Sequence, residues 1–291
     1  FTRKGRCYWL KCYEIPEGDK NFKGRAIQNM LNIEPDDSVN AMLRLRGLND
    51  EEFVNSHYVV FATKNGTIKK TCLEAYSRPR TNGVNAINIV EGDEVVDVRL
   101  TNGKNEIILA NRNGRAVRFD ENTVRSMGRV STGVRGMQLD GDDDQVVGMI
   151  IVNNAETETV MVVSENGYGK RSQVEDYRKT NRGGKGVKTF SITDKTGRLV
   201  AIKNVTDDND LMIINKSGIA IRLAVSDCRV MGRATQGVRL INLSKKNDVI
   251  ASVCKVMSSE LEAKLADDNS ATEPEATEAT EAKETNPENE K

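Results

Sequence analysis

Short runs of alternating apolar and polar residues cover most of the chain, and this alternation is typical of half-buried β-strands. Several runs end at an Asn-Gly pair, which predicts a hairpin because a type I′ turn needs positive φ at both central residues. The apolar strands predicted before these turns are 59–62, 107–110, 160–163 and 211–214. The pattern therefore predicts an all-β fold.

The turns form a repeat. Their glycines are separated by 61, 48, 53 and 51 residues, and a second glycine follows each of them after 19, 17, 19, 19 and 19 residues. The pairs are Gly5 and Gly24, Gly66 and Gly83, Gly114 and Gly133, Gly167 and Gly186, and Gly218 and Gly237. Another alternating strand is predicted after the second glycine, for example over 84–89, 134–139 and 238–243, followed by a polar turn and a last apolar strand.

About four strands fall in each unit of roughly 50 residues, and four-stranded units repeated around an axis are typical of propellers. We therefore predict an all-β, propeller-like domain over residues 1–257, with five repeats visible and the first blade truncated. A β-sandwich or barrel is the alternative, but neither explains the fixed glycine offset. The longer gap between Arg46 and Tyr58 predicts an extended connection between two blades.

The net charge of the whole chain is zero, but two parts of the chain carry opposite net charges. Residues 258–291 contain 11 acidic and 3 basic residues, a net charge of −8, whereas residues 1–257 contain 40 basic and 32 acidic residues, a net charge of +8. The end of the chain is rich in Glu, Ala, Thr and Pro and is predicted to be a disordered acidic tail. The remainder is a basic body.

Basic residues recur in step with the repeat. Rotation-related blades would place equivalent cations on a ring around the rim, which favours binding of a long polyanion such as duplex DNA. The four sets are Lys70, Arg118, Arg171 and Arg222, four residues after the turn glycine; Arg125, Arg178 and Arg229, eight before the second glycine; Lys20, Arg129, Arg182 and Arg233, four before it; and Arg135, Lys188 and Arg239, two after it.

The densest basic segment is 177–188, which reads YRKTNRGGKGVK. Gly183, Gly184 and Gly186 let the backbone approach a partner closely, and Arg182 and Lys185 supply charge beside them. We predict that this segment contacts DNA phosphates.

Several runs together resemble the C-terminal domain of the DNA gyrase A subunit over residues 1 to about 257. These runs are KGRCYWLKCYEIPEG, ATKNGTIKKT, VRSMGRVSTGVRG, ENGYGKRS and VMGRATQGVRL. The resemblance implies a six-bladed β-pinwheel that wraps DNA around its perimeter. The family's box, Gln-Arg-Arg-Gly-Gly-Lys-Gly, is matched from Arg182 to Gly186, while Thr180 and Asn181 depart from it. That box belongs to the first blade, upstream of Phe1, so residues 180–186 are interpreted as a box-like loop of a later blade.

The resemblance also implies a cytoplasmic type IIA topoisomerase in which this domain supports ATP-dependent negative supercoiling. The implied partners are double-stranded DNA, a second A subunit and a gyrase B subunit, and ATP and Mg²⁺ belong to the holoenzyme rather than to this domain. The corresponding domain of topoisomerase IV is one alternative. A propeller that serves as a protein-interaction scaffold and an enzyme with a site in its central channel are the others.

No catalytic or metal site is predicted in this chain, and no membrane contact. His57 is the single histidine, which excludes a serine–histidine triad and a multi-histidine metal site. Asp142, Asp143 and Asp144 stand in a predicted polar turn and are interpreted as solvated turn residues. The five cysteines form no CxxC pair, which is typical of reduced thiols in a cytoplasmic protein.

Overall fold

The computed structural model describes residues 1–18, 23–45, 47–243 and 248–258. Lys20 and residues 259–291 of the predicted acidic tail lie outside the described residues. In chain order the strands are β1 (Arg6–Cys7), β2 (Tyr58–Thr63), β3 (Thr67–Cys72), β4 (Val84–Asn85), β5 (Val95–Thr101), β6 (Glu106–Asn111), β7 (Arg115–Asp120), β8 (Val134–Arg135), β9 (Val146–Val152), β10 (Thr159–Ser164), β11 (Tyr168–Gln173), β12 (Val187–Lys188), β13 (Leu199–Val205), β14 (Asn209–Asn215), β15 (Ala220–Ala224), β16 (Val238–Arg239) and β17 (Ile250–Met257).

The strands form five antiparallel sheets, which are the blades of a propeller-like pinwheel. From its inner to its outer edge the second blade has the order β5-β2-β3-β8, the third β9-β6-β7-β12 and the fourth β13-β10-β11-β16. The first blade pairs β1 with β4, and the fifth has the order β17-β14-β15. The predicted all-β, propeller-like fold is confirmed.

The inner strands of successive blades contact one another, β5 with β9, β9 with β13 and β13 with β17, which arranges the blades around a common axis. The hydrophobic core lies between blades rather than within one. Phe61 and Val84 belong to the cluster between the first two blades, and Ile68 and Phe119 to the next one. Each blade is therefore stabilised mainly by burial of apolar surface against its neighbours.

The outer strand of a blade comes from the following repeat, an exchange that was not predicted from the sequence. Only two residues of each predicted strand pair, as in β8 with β3. The chain then turns over the preceding hairpin, where the N–H groups of Gly136 and Met137 both donate to the carbonyl oxygen of Gly66, at 2.8 and 3.1 Å. The predicted strands 84–89, 134–139 and 238–243 are thus short exchanged strands followed by crossovers.

This exchange explains the fixed glycine offset. Gly66 has a φ of 86°, and a Cβ there would lie 2.6 Å from the carbonyl oxygen of Met137. Gly133 has a φ of 109°, and a Cβ there would lie 2.6 Å from the carbonyl oxygen of Ile68. Both glycines of the repeat are needed where one repeat crosses the backbone of another.

The predicted connection between Arg46 and Tyr58 contains the helix α1 (Glu51–Ser56), whose first turn is capped by the Asp50 carboxylate accepting from the Phe53 N–H. His57 follows the helix and stacks on the Phe53 ring, with 4.1 Å between ring centroids. Short 3₁₀ turns occur at Cys12–Glu14, Ile27–Asn29, Leu73–Tyr76, Glu121–Thr123 and Val174–Asp176.

Candidate nucleic-acid interface

Before each exchanged strand, a loop lies along the outer edge of the preceding blade. We call these segments the rim loops: 77–83, 125–133, 178–186 and 229–237. Equivalent hydrogen bonds attach three of them to the blade, because Met127, Thr180 and Met231 donate from their N–H groups to β3, β7 and β11, the strands next to the exchanged ones. The acceptors are the carbonyl oxygens of Lys70, Arg118 and Arg171, at 2.8, 2.8 and 2.9 Å.

Each of the last three rim loops is bonded to the exchanged strand or the crossover that follows the preceding rim loop. The Gly183 N–H donates to the carbonyl oxygen of Gly136 at 2.7 Å, and the Gln138 N–H donates to that of Gly184 at 3.0 Å. Two arginine side chains add to this contact: Nη1 of Arg182 donates to the Arg135 carbonyl oxygen at 2.9 Å, and Nη1 of Arg233 to that of Lys188 at 2.7 Å. The loops therefore form one continuous rim.

The clearest exposed cations on this rim stand eight residues before the second glycine. Arg125, Arg178 and Arg229 are all exposed. None of the three forms an ion pair or side-chain hydrogen bond with any residue in the described ranges. Their guanidinium groups are free to bind phosphate oxygens, for which an arginine is well suited.

Three further cations, two residues after the second glycine, are also exposed: Arg135, Lys188 and Arg239. Arg239 donates from Nη2 to the Tyr168 hydroxyl oxygen at 2.9 Å, and its guanidinium carbon lies 5.5 Å from the centre of that ring. The third predicted set, Arg129, Arg182 and Arg233, is half-buried in the rim loops. Its members occupy equivalent places in successive loops.

The remaining predicted set lies mainly inside the molecule. Lys70, Arg118 and Arg171 are only 4%, 7% and 5% exposed. Lys70 pairs with the buried Glu121 carboxylate at 3.1 Å. Arg222, in the fifth blade, is more exposed and pairs with Asp210 at 2.7 Å.

The buried set joins one repeat to the next. Arg118 donates from Nε to Glu106 at 2.6 Å and from Nη1 to the carbonyl oxygens of Val174 and Tyr177, at 2.9 and 3.1 Å. Val174 begins the 3₁₀ turn of the following repeat, and Tyr177 comes directly after that turn. Arg171 repeats the arrangement one blade later, donating from Nη1 to the carbonyl oxygens of Val225 and Cys228. Burial and these bonds leave the guanidinium groups unavailable to an external phosphate in this conformation.

The glycine-rich loop has a different surface from its neighbours. Gly183 and Gly186 have φ values of 81° and 73°, and the N–H groups of Gly184, Lys185 and Gly186 find no acceptor among the described residues. A shallow pocket beside these amides is also lined by Arg178. Free amides with nearby cations are the elements of an anion site.

Lys185 projects from the same loop and pairs with Asp140 at 2.8 Å. Its hydrogen bond lowers the pKa of the Asp140 carboxyl group. Because the Lys185 side chain is 55% exposed and the Asp140 side chain 32%, this pair is weak and a phosphate can replace the carboxylate.

The two arginines of the first rim loop fall outside the sets predicted from the sequence. Arg78 and Arg80 lie in the loop 77–83 and are exposed, and with Arg129 of the next rim loop they line a cleft that also contains Glu74. The offset in this repeat is 17 residues instead of 19, so neither arginine coincides with the sets defined in the other repeats. Clustering of Arg with Pro, Asn and Gly just before the second glycine is the signal that could have revealed them.

One residue of the acidic turn 142–144 has a structural role. Asp144 is buried, and its carboxylate accepts from the Asn111 side chain at 2.6 Å and from the Asn113 N–H at 3.2 Å. No group of three or more His, Cys, Asp or Glu side chains in the described ranges is arranged to hold a metal ion. Within the same ranges, no helix has the length and apolar character needed to span a membrane.

The family model and the sequence relatives that match this chain agree on one family. The family described as DNA gyrase C-terminal domain, beta-propeller, matches residues 1–46, 57–102, 105–153, 158–206 and 209–254. The gyrase A subunits of Staphylococcus aureus strains MRSA252 and NCTC 8325 are 43% identical to this chain over 256 residues. That alignment covers 88% of this chain and 28% of each relative, so the chain spans little more than a quarter of their length.

Two solved structures share the fold. The C-terminal domain of DNA topoisomerase IV has a TM-score of 0.79 at 27% identity, covering 92% of this chain and 82% of that one. The DNA gyrase A C-terminal domain has a TM-score of 0.75 at 24% identity, covering 88% of this chain and 80% of that one.

Proposed function

Because the chain belongs to the family of DNA gyrase C-terminal domains, we propose that it binds duplex DNA along its rim loops and bends it around the outside of the blades. One observation supports this most directly. Arg125, Arg178 and Arg229 recur at equivalent positions of successive repeats, are exposed, and have no partner among the described residues.

Binding by such a rim is mainly electrostatic. A guanidinium that neutralises a phosphate releases condensed counterions, and this gain does not depend on the base sequence. Arg135, Lys188 and Arg239 extend the contact, and the free amides of the glycine-rich loop add hydrogen-bond donors for phosphate oxygens. We do not include Lys70, Arg118 and Arg171 in the contact surface because each is buried and bonded inside the protein.

Bending follows from the arrangement of the blades. The rim loops lie on the outer edges of sheets arranged around one axis, so a straight duplex can contact only a few of them. Smooth bending of 20–30 base pairs by 40–90° costs about 1–6 kcal/mol, and contacts made over several blades offset that cost. Loss of cations from several loops should therefore reduce bending more than affinity for a short duplex.

We further propose that the domain acts within a cytoplasmic gyrase, with a second A subunit and a B subunit, and supports negative supercoiling. ATP and Mg²⁺ would be used by other parts of the holoenzyme. The identity of 43% with gyrase A subunits favours this role over the corresponding one in topoisomerase IV.

A salt titration tests the DNA contact. For the parent, log affinity for a duplex should fall linearly with log salt concentration, by about 0.9 for each phosphate contact. The combined substitution of Arg125, Arg178 and Arg229 by Ala should make this slope shallower by about 2.7, whatever the duplex sequence.

A second triple variant provides a control with the same loss of charge. Lys104, Lys195 and Lys216 are exposed but lie outside the rim loops. Their replacement by Ala should leave the slope nearly unchanged, and bending measured by end-to-end FRET should fall only in the rim variant. Equal slopes and equal bending in the two triple variants would contradict a specific rim.

A further inference from the structure

Two lysines at the same position of the repeat lie inside the molecule. Lys69 and Lys170 stand three residues after the turn glycine, in β3 and β11, and are 0% and 1% exposed. Both occupy the same place in their hairpins, opposite Phe61 and Val162. Burial of an ammonium group is costly unless it is paired, so each lysine must have a compensating partner.

Those partners are backbone carbonyl groups, all but one of which belong to the rim loops. Nζ of Lys69 donates to the carbonyl oxygens of Ala86, at 2.5 Å, and of Arg129. Nζ of Lys170 donates to the carbonyl oxygens of Gly232, at 2.7 Å, and of Arg233. Arg129 and Arg233 are themselves equivalent, four residues before the second glycine. Each ammonium group therefore holds the backbone of a rim arginine from the inside.

We propose that Lys69 and Lys170 are positioning residues for DNA binding, which fix the rim loops 125–133 and 229–237 so that Arg129 and Arg233 are presented to the duplex. This inference rests on the proposed function. A bond from a charged donor is stronger than one between neutral groups, and it is stronger still where water is excluded. Lys170 makes two such bonds to the loop 229–237, and Lys69 makes one to the loop 125–133 and one to Ala86. These bonds restrict the backbone in a way that an apolar side chain of equal length cannot.

The third blade supplies an internal comparison. Val117 occupies the equivalent position opposite Leu109 and packs in an apolar cluster. The loop 178–186 is held instead by the side chain of Arg182, which donates to the carbonyl oxygens of Thr123 and Arg135, both at 2.9 Å. One rim loop is thus built without an ammonium group beneath it, so a substitution at Val117 is a matched control.

Proton linkage is the expected signature of this arrangement. Burial lowers the pKa of Lys69 to about 7, with a further contribution from Arg129, and the Tyr76 hydroxyl group shares the Ala86 carbonyl acceptor. Phosphates bound at the rim favour the charged ammonium and raise the pKa of this lysine in the complex. DNA binding should therefore take up a proton here.

Lys170 is the equivalent case. Burial lowers its pKa to about 7, Asp176 opposes this effect, and Arg233 and Lys188 add to it. Proton uptake at both lysines makes DNA affinity greatest below about pH 7 and lowers it as the pH rises from about 7 to the pKa in the complex.

The test uses K69M, K170M and the double variant, with V117M as the control. Between about pH 6 and about pH 9, log Kd of the parent for duplex DNA should rise with pH, by at most about one per pH unit for each lysine that takes up a proton. The double variant should bend DNA less than the parent and lose most of this pH dependence. V117M should keep both properties of the parent.

Hydrogen exchange locates the effect in the protein alone. K69M should speed amide exchange in 125–133 and K170M in 229–237, whereas 178–186 should exchange as in the parent. A double variant that bends DNA with the parent's pH profile would overturn the inference, as would a parent whose affinity is independent of pH. A parent that does not bind DNA would instead overturn the proposed function, and the exchange data would still decide whether the lysines hold the loops.

Discussion

Two sets of basic side chains recur with the same period but lie in opposite environments. Lys70, Arg118 and Arg171 are buried and join consecutive repeats, whereas cations such as Arg125 and Arg178 lie exposed on the rim loops. The first set satisfies carbonyl and carboxylate groups of the next repeat, and the second leaves its donors for a partner. Periodic charge in a repeat protein therefore has two physical causes, cohesion between repeats and binding at the surface.

The position of a basic residue relative to the 3₁₀ turn of its repeat decides whether it joins two repeats or faces a binding partner. The buried residues lie in the outer strand of a hairpin, where the following repeat crosses and covers them. The exposed residues come after that turn, in a loop whose inner side faces the blade and whose outer side faces solvent. Substitutions that treat the two sets alike should therefore have different effects.

The largest expected difference is in stability. Arg118→Ala leaves the carbonyls of Val174 and Tyr177 without their donor and Glu106 with Lys179 as its remaining cation, and loss of one partner from a buried charged pair costs about 3–5 kcal/mol. Arg178→Ala removes an exposed side chain and should change the free energy of unfolding by less than about 0.5 kcal/mol. Urea unfolding followed by circular dichroism measures both. An Arg118→Ala protein as stable as the Arg178→Ala protein would mean that the buried set does not join the repeats.

The buried lysines beneath the rim should give stability a measurable pH dependence. The folded pKa of Lys69 and Lys170 is about 7, below the ordinary value of 10.5, so the unfolded chain binds more protons between these values. The free energy of unfolding should therefore rise with pH from about 7 to about 9. Above about pH 9 the raised pKa values of Cys7 and Tyr177, both about 12, make the free energy of unfolding fall as the pH rises. Thermal unfolding of the K69M/K170M variant should show a flatter profile, and a profile identical to the parent's would contradict the assignment.

A smaller effect separates the glycines of the loop 178–186. Gly186 has positive φ, and a Cβ there would lie 2.2 Å from the Ala116 carbonyl oxygen, so Gly186→Ala should destabilise the protein by more than about 1 kcal/mol. A Cβ at Gly184 would have no neighbouring atom nearer than 3.9 Å, so this position should tolerate Ala. Denaturant midpoints of the two variants compare them directly. Equal midpoints would mean that the exchanged strand does not need the close approach at Gly186.

The repeat, its hairpins and the propeller-like fold were predictable because hairpin turns and strand alternation are local signals. Val59 to Ala62 and the Asn65-Gly66 turn illustrate this, since the predicted strand lies within β2 and the turn joins it to β3. The strand exchange was not predictable from these signals. Ala86 and Ile87 continue an alternating pattern, but they are buried between blades while their N–H groups bond to Gly5 of another repeat.

The candidate site was predictable only in part for the same reason. Spacing alone assigns both Arg118 and Arg125 to the rim, although one is covered by the next repeat and the other is not. A shorter offset in the second repeat concealed Arg78 and Arg80, which share a cleft with Arg129. Burial by a distant part of the chain is a tertiary property, and no local pattern of charge contains it.

The smallest expected effect comes from two lysine–carboxylate pairs of similar length, one buried and one exposed. Lys70 and Glu121 lie 3.1 Å apart in the interior, whereas Lys185 and Asp140 lie 2.8 Å apart at the surface. Asp140→Asn should leave stability unchanged and tighten DNA binding by less than about tenfold, because it frees Lys185 and Arg115 and removes a charge that repels phosphate. Glu121→Gln, the matched control, should instead lower the unfolding midpoint because Lys70 loses its buried partner. DNA titrations at low and high salt measure the gain, which must shrink as salt is added. An Asp140→Asn protein that binds DNA no better than the parent at low salt would show that neither Lys185 nor Arg115 is part of the contact.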